Sequence, residues 1–293
     1  MPSGFIIRGV GGFYYVDAVD GTYECKARGT FRKDGITPLP GDNVVFTITD
    51  PFTKTGFITS ISDRKSVLVR PAVANVDQIV IVFAIKSPEP DFLLLDKLII
   101  AAVAKKLDIV ICVNKIDLDT GDGFSSFERQ YAACDLNLIG MSAREGIGFE
   151  RLAELLKDKK SVFAGPSGVG KSTILNIATK KAIMKVGSIS VKTERGRHTT
   201  RHAELINLGA EGIVVDTPGF SSFEIEEIKS DDLQYYYPEF KELAHTCRFK
   251  GCKHLREPSC SVVKAVEEGV ICKDRYDRYA YLFAELKAKK FYV

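Results

Sequence analysis

Gly165-Pro166-Ser167-Gly168-Val169-Gly170-Lys171-Ser172 decides the fold. The apolar run Ser161–Ala164 leads into it, and helical spacing over Ser172–Thr179 follows it. A strand, a glycine-rich loop and a helix in that order make a phosphate-binding loop. The glycines let backbone N–H groups approach phosphate oxygens closely. Lys171 is placed to reach the β- and γ-phosphates, the Ser172 hydroxyl to hold Mg²⁺, and Thr173 continues the site.

Working outward, Asn114-Lys115-Ile116-Asp117 lies upstream, at the end of the apolar strand Ile109–Val113. The Asp117 carboxylate matches the N1–H and N2–H₂ edge of guanine. Adenine presents an acceptor at N1 and would leave that carboxylate unpaired, which counts against an ATP-driven enzyme. Asn114 and Lys115 brace the base and neighbouring loops. Strand Asn137–Met141 ends at Ser142-Ala143, the next expected contact to the base. Downstream, Ile213-Val214-Val215 ends at Asp216-Thr217-Pro218-Gly219, where Asp216 serves the Mg²⁺ shell through water and the Gly219 N–H senses the γ-phosphate. Signatures at strand ends are expected of a doubly wound parallel sheet. The base reader precedes the phosphate loop, so the order is circularly permuted.

Between phosphate loop and Asp216 stands Arg197-His198-Thr199-Thr200, and either Thr199 or Thr200 completes the magnesium shell. After Gly219 comes Phe220, which has no group to orient water. His198 is the local candidate for that catalytic task, with contact to RNA or solvent as its alternative.

Residues 1–70 carry short β-forming runs, Tyr14-Tyr15-Val16, Tyr23–Ala27 and Val44–Ile48, with a turn at Pro38-Leu39-Pro40-Gly41-Asp42. They predict a small β-barrel of the oligonucleotide-binding (OB) type, an SH3-like barrel being the alternative. Residues 71–225 alternate strand and helix. From residue 226 to 293 charge and aromatics rise, and Asp274–Lys290 reads as a charged helix. Cys247-x4-Cys252-x-His254-x5-Cys260 supplies three thiols and an imidazole, a tetrahedral set suited to one structural Zn²⁺. His254 is preferred over His245 because it pairs with Cys252. A small helical domain with little core needs such a staple.

The net charge is only +3, too small to argue for nucleic acid alone. Lys180, Lys181, Lys185, Lys192, Arg195, Arg197 and Arg201 stand against Glu194, and Arg248, Lys250, Lys253 and Arg256 form a second basic cluster. Together they favour a phosphate-rich partner. The opening residues do not read as a secretory signal, and no apolar stretch reaches the ~18 residues of a membrane span. Seven cysteines beside a nucleotide site point to reduced thiols and a metal. A cytoplasmic monomer is expected.

Taken together, these residues resemble the circularly permuted, small-ribosomal-subunit-dependent GTPases of the RsgA (YjeQ) family across essentially the whole chain. The carriers are Arg28–Lys33 with Pro40-Gly41-Asp42, the permuted order from Asn114 to Gly219, Gly196–Thr200, Pro218-Gly219-Phe220 and the cysteine–histidine set. Arg201 stands where the family often has a third threonine. The resemblance implies an OB barrel, a permuted GTPase domain and a zinc domain. It further implies GTP and GDP as ligands, contact with ribosomal RNA, and a role in late maturation of the small subunit, which stimulates hydrolysis. Alternatives are a nucleotide-gated RNA-binding module with incidental hydrolysis, and a permuted GTPase acting on another RNA. The permutation implies that GTP ordering of Lys192–Thr200 is passed to the zinc domain.

Overall fold

The computed structural model describes residues 1–29, 31, 35–186, 203–209, 212–216 and 228–289, with backbone only for 181–186 and 216. The strands are β1 Ser3–Val10, β2 Phe13–Ala18, β3 Gly21–Ala27, β4 Asn43–Asp50, β5 Thr55–Ile61, β6 Val67–Leu68, β7 Val73–Ala74, β8 Gln78–Ala84, β9 Asp108–Asn114, β10 Asn137–Gly140, β11 Lys160–Ala164, β12 Glu204–Asn207 and β13 Ile213–Asp216. The α-helices are α1 Phe92–Ala104, α2 Gly123–Tyr131, α3 Phe149–Leu156, α4 Lys171–Val186, α5 Lys241–Ala244, α6 Ser261–Glu267 and α7 Lys273–Lys289. The expected strands and helices fall within a residue or two of these bounds, except that α4 runs well past the expected Thr179.

Two compact units emerge. The first comprises the described residues of Met1–Val80, Phe149–Ala164 and Lys171–Phe220; the second comprises those of Ile81–Gly148, Gly165–Gly170 and Ser221–Val293.

In the first unit, β1 to β5 close into a barrel of order β1-β2-β3-β5-β4. β1 pairs antiparallel with β4, and β3 pairs parallel with β5 through Glu24↔Thr55 to Ala27↔Ile58. That connectivity is the OB-type barrel expected. Alternation of side chains sends Ile6, Val16, Tyr23, Cys25, Val44, Phe46 and Ile58 into one apolar interior. The Pro38–Asp42 turn earns its composition. Gly41 adopts φ +93°, and a Cβ there would lie 2.0 Å from the Ala74 carbonyl oxygen. Asp42 is fully buried; it accepts from the Leu39 amide at 2.7 Å and from Arg64 Nε and a terminal guanidinium nitrogen at 2.7 and 2.8 Å. Three strands of a second sheet, in order β11-β13-β12, belong to this unit together with β6, β7, α3 and α4. Lys160 at the start of β11 donates to the Gly41 carbonyl, and Asn207 of β12 donates to Asp17.

In the second unit β10 pairs parallel with β9, and β8 is next in order. Every residue of β8 is buried, as an unbroken apolar run predicts for a parallel strand covered on both faces. Asp91 starts α1 by accepting a hydrogen bond from the Leu94 amide at 3.0 Å. Residues 228–289 build a helical region without strands. Leu233, Tyr237, Phe240, Tyr279, Leu282 and Phe283 share its core with Ile100 and Ala101 of α1.

Candidate nucleotide site and metal centre

The segments Asn114–Asp117 and Gly165–Gly170 are joined by direct hydrogen bonds. Asn114, almost fully buried at the end of β9, donates from Nδ2 to the Val169 carbonyl at 2.8 Å. Its Oδ1 accepts from the Ala143 amide at 3.2 Å. One side chain thus pins two loops. Gly170 is required by that contact, because its Cβ would stand 2.4 Å from Asn114 Nδ2. Gly165, at φ +135°, leaves no room either: a Cβ would lie 2.1 Å from the Val82 carbonyl oxygen. Gly165 and Gly170 therefore serve close backbone packing.

Lys115 has a left-handed backbone, φ 63°. Its ammonium donates to the Gly168 carbonyl at 2.9 Å and to the Ser87 carbonyl. The Ser87 contact had no signal in the sequence beyond the neighbouring Pro88. Asp117 is half-buried, and the fully buried Ser142 donates from Oγ to its Oδ1 at 2.6 Å. Ser142 Oγ in turn accepts from the Glu145 amide at 3.1 Å. The Asp117 carboxylate is thus held by a hydroxyl that is itself fixed.

Pro166 is half-buried, and Ser167 and Gly168 are exposed at the crest of the loop. Lys171, Ser172 and Thr173 form the first turn of α4. Burial draws the Lys171 ammonium below the ordinary lysine value. Asp216 is the last residue of β13 and pairs through its backbone with Glu204. His198, Thr199, Thr200 and Gly219 lie outside the described residues, as do Arg195, Arg197, Arg201 and Phe220.

The second cluster lies in the strandless region. Cys247, Cys252, His254 and Cys260 each offer one donor atom, and the four atoms lie within 4.8 Å of one another. Cys247 Sγ is 3.9 Å from Cys260 Sγ and 3.6 Å from His254 Nδ1; the latter is 3.3 Å from Cys260 Sγ. Tetrahedral zinc with sulfurs about 2.3 Å away spaces them about 3.8 Å apart, so the donor set fits such an ion. His245 is exposed and outside the group.

The backbone around the donors is tightly held. Glu257 accepts from the amides of Lys253, Leu255 and Arg256 at 2.7, 2.9 and 3.0 Å. Burial alone would raise its carboxyl, but these amides overcome that and hold it at about 2. Tyr276 and Tyr279 of α7 donate to the carbonyls of His254 and Lys253 at 2.8 and 2.6 Å.

A buried charge network, which the sequence did not announce, fixes the same region. Arg275 of α7 reaches Asp96 of α1 at 2.5 Å and also binds Glu239. Arg278 reaches the other Asp96 oxygen at 2.5 Å and Gln130 at 2.8 Å. Tyr131 donates to Asp96 at 2.7 Å, and the rings of Tyr131 and Tyr237 each lie 4.8 Å from the Arg275 guanidinium. Burial opposes the charge on Arg275, but the carboxylates of Glu239 and Asp96 outweigh it and hold the guanidinium well above its usual value.

Against known proteins, the family model described as RsgA GTPase matches residues 61–226, and that described as RsgA N-terminal domain matches residues 3–58. The chain belongs to the RsgA GTPase family. Among its relatives, the small ribosomal subunit biogenesis GTPase RsgA of Ruminiclostridium cellulolyticum is 52% identical over 289 residues, spanning 98% of this chain and 94% of that protein. The protein of the same name from Alkaliphilus metalliredigens is 44% identical over 292 residues, the whole of both chains. Solved structures agree. YjeQ from Thermotoga maritima superposes with a TM-score of 0.83 at 35% identity, over 97% of this chain and 98% of that one. YloQ, described as a circularly permuted GTPase, gives 0.82 at 36%, over 99% and 96%. The permuted motif order is thus shared by this RsgA-family chain and its structural relatives.

Proposed function

We propose that this chain hydrolyses GTP on the small ribosomal subunit and assists its late maturation, with hydrolysis stimulated by the subunit. The observation that carries the nucleotide reading is the Asn114 side chain, which joins the Val169 carbonyl of the phosphate loop to the Ala143 amide beside the Ser142–Asp117 pair. One side chain therefore bears on both the base-reading segment and residues 165 to 170.

Asp117 reads the N1 and N2 edge of guanine, with Asn114, Lys115, Ser142 and Ala143 shaping the slot. Residues 165 to 170 cradle the phosphates with backbone amides, while Lys171 places a cation on the β- and γ-oxygens beside Ser172 and Thr173. Mg²⁺, when bound, neutralises charge at those oxygens. Ser172, Asp216 and one of Thr199 or Thr200 are its proposed holders, and Gly219 is the γ-phosphate sensor. His198 orients the attacking water. Zn²⁺ in the Cys247, Cys252, His254 and Cys260 set stabilises the fold and supplies no reaction chemistry. Residues 1–70, 71–225 and 226–293 act as barrel, GTPase domain and zinc domain. The barrel and zinc domain contact ribosomal RNA, and the nucleotide state of the segment after Asp216 adjusts the zinc domain upon it. No helix among the described residues is long and apolar enough to cross a membrane; the protein works as a cytoplasmic monomer.

A second reading, a nucleotide-gated RNA binder with incidental hydrolysis, is favoured by Phe220, which cannot orient water. Competition binding tests the site itself. Asp117→Ala removes two hydrogen bonds to a charged group, each worth about 1.5–3 kcal/mol. GTP affinity then falls roughly 10²–10⁴-fold while the weak ATP affinity stays unchanged. Equal GTP and ATP binding by the wild-type protein contradicts the assignment of Asp117.

A further inference from the structure

Besides its four donors, the metal cluster has a neighbour with a defined orientation. His254 is fully buried, and its two ring nitrogens face different partners. Nδ1 lies among the sulfurs, 3.3 Å from Cys260 Sγ and 3.6 Å from Cys247 Sγ. Nε2 faces away from them and sits 2.8 Å from Gln234 Oε1. The direction of that bond follows from the amide. Gln234 Nε2 is committed as a donor to the Asp231 carbonyl at 3.3 Å, so Oε1 is the acceptor and His254 Nε2 carries the proton. An imidazole protonated at Nε2 keeps its lone pair at Nδ1, the nitrogen aimed at the sulfurs.

Gln234 is nearly fully buried and belongs to the 3-10 segment Ser230–Tyr236. That segment lies between Asp216 and the cysteines in the chain. It touches the knuckle a second time, where Lys253 Nζ donates to the Asp231 carbonyl at 3.2 Å. Phe240 meets the His254 ring edge-on at 5.6 Å, so the ring has little freedom to turn.

We infer that Gln234 is the positioning residue of the metal centre: it fixes the His254 tautomer, makes Nδ1 the ligating atom, and anchors the knuckle to the segment that precedes it. This rests on the reading of the cluster as a zinc site. Partners of this kind orient a metal-bound imidazole and raise its basicity, and their loss typically weakens metal binding 10–100-fold.

The test uses the full-length protein and zinc itself. Zinc affinity is measured by transfer to a chromophoric chelator for the wild type, Gln234→Ala and Gln234→Glu. Nitrogen-15 NMR of the zinc-loaded protein reports which ring nitrogen is bound. Gln234→Ala is expected to hold zinc roughly 10–100-fold more weakly. Gln234→Glu keeps the acceptor and holds zinc at least as tightly as wild type, with Nδ1 bound in both proteins. Should Gln234→Ala fail to fold, the glutamate variant and the NMR assignment decide alone. Wild-type zinc affinity in Gln234→Ala, zinc on Nε2, or a glutamate variant that sheds zinc would each overturn the inference. A wild-type protein that takes up no zinc removes the zinc reading and this inference with it. A wild type that binds zinc, with affinity indifferent to Gln234→Ala, removes only the role of Gln234.

Discussion

The barrel and the region 228–289 are both small, yet they hold themselves together by opposite means. The barrel joins distant segments through backbone ladders, β1 to β4 and β3 to β5. Alternating apolar side chains then need only fill the interior. Residues 228–289 are short helices, 3-10 turns and loops packed with the 17-residue α7, and their backbone bonds are local. Their distant segments are tied by side chains: an apolar core shared with Ile100 and Ala101, a cysteine–histidine cluster, and a buried network that joins Arg275 and Arg278 to Glu239 and to Asp96 of α1. The lesson is that a fold without a ladder leans on polar ties as well as on its apolar core. Such a fold should fail abruptly when one tie is cut, whereas the ladder-closed barrel should lose stability in small steps.

The largest contrast is expected on metal removal. Structural zinc contributes apparent energies of order 10 kcal/mol in small metal-folded units. Chelation should therefore abolish hydrogen-exchange protection across residues 228–289 while leaving β1 to β5 protected. Retained protection in both regions would break the comparison. Next comes Arg275→Met, which removes the guanidinium partner of the buried Glu239 and one of the two that Asp96 has. Cutting one partner from a buried network costs about 3–5 kcal/mol. Denaturant unfolding followed by a probe in 228–289 should shift accordingly, and adding Glu239→Gln should recover part of the loss. The smallest effect belongs to the barrel. Ile58→Val removes one methylene from a fully buried site and should cost about 0.5–1.5 kcal/mol, with zinc content unchanged.

The segments proposed for the nucleotide stand out in the sequence because that chemistry demands particular residues at particular spacing. Asn114, Asp117 and Gly165 to Ser172 sit where strands end, and strand ends can be read from apolar runs. The barrel was readable as short strands and its expected OB type holds, although strand spacing alone separates it poorly from an SH3-like barrel, because the two differ in which strands pair. The charge network was hidden for a related reason. Asp96 sits beside Lys97 in a mostly apolar helix, and its partners Arg275 and Arg278 lie far along the chain on a helix whose charges read as solvated. Gln234 carried no signal, since its role depends on a histidine placed beside it by the fold. Helices α2 and α3 also went unspecified within the alternating region, their apolar positions being few.

The central claim is that a guanine-nucleotide site of this permuted frame is switched on by the small ribosomal subunit. GTP turnover by the purified protein, measured alone and with added small or large subunits, tests it most directly. The account predicts slow turnover alone, strong stimulation by the small subunit, and none by the large. Turnover unaffected by the small subunit, or raised equally by both, would contradict it.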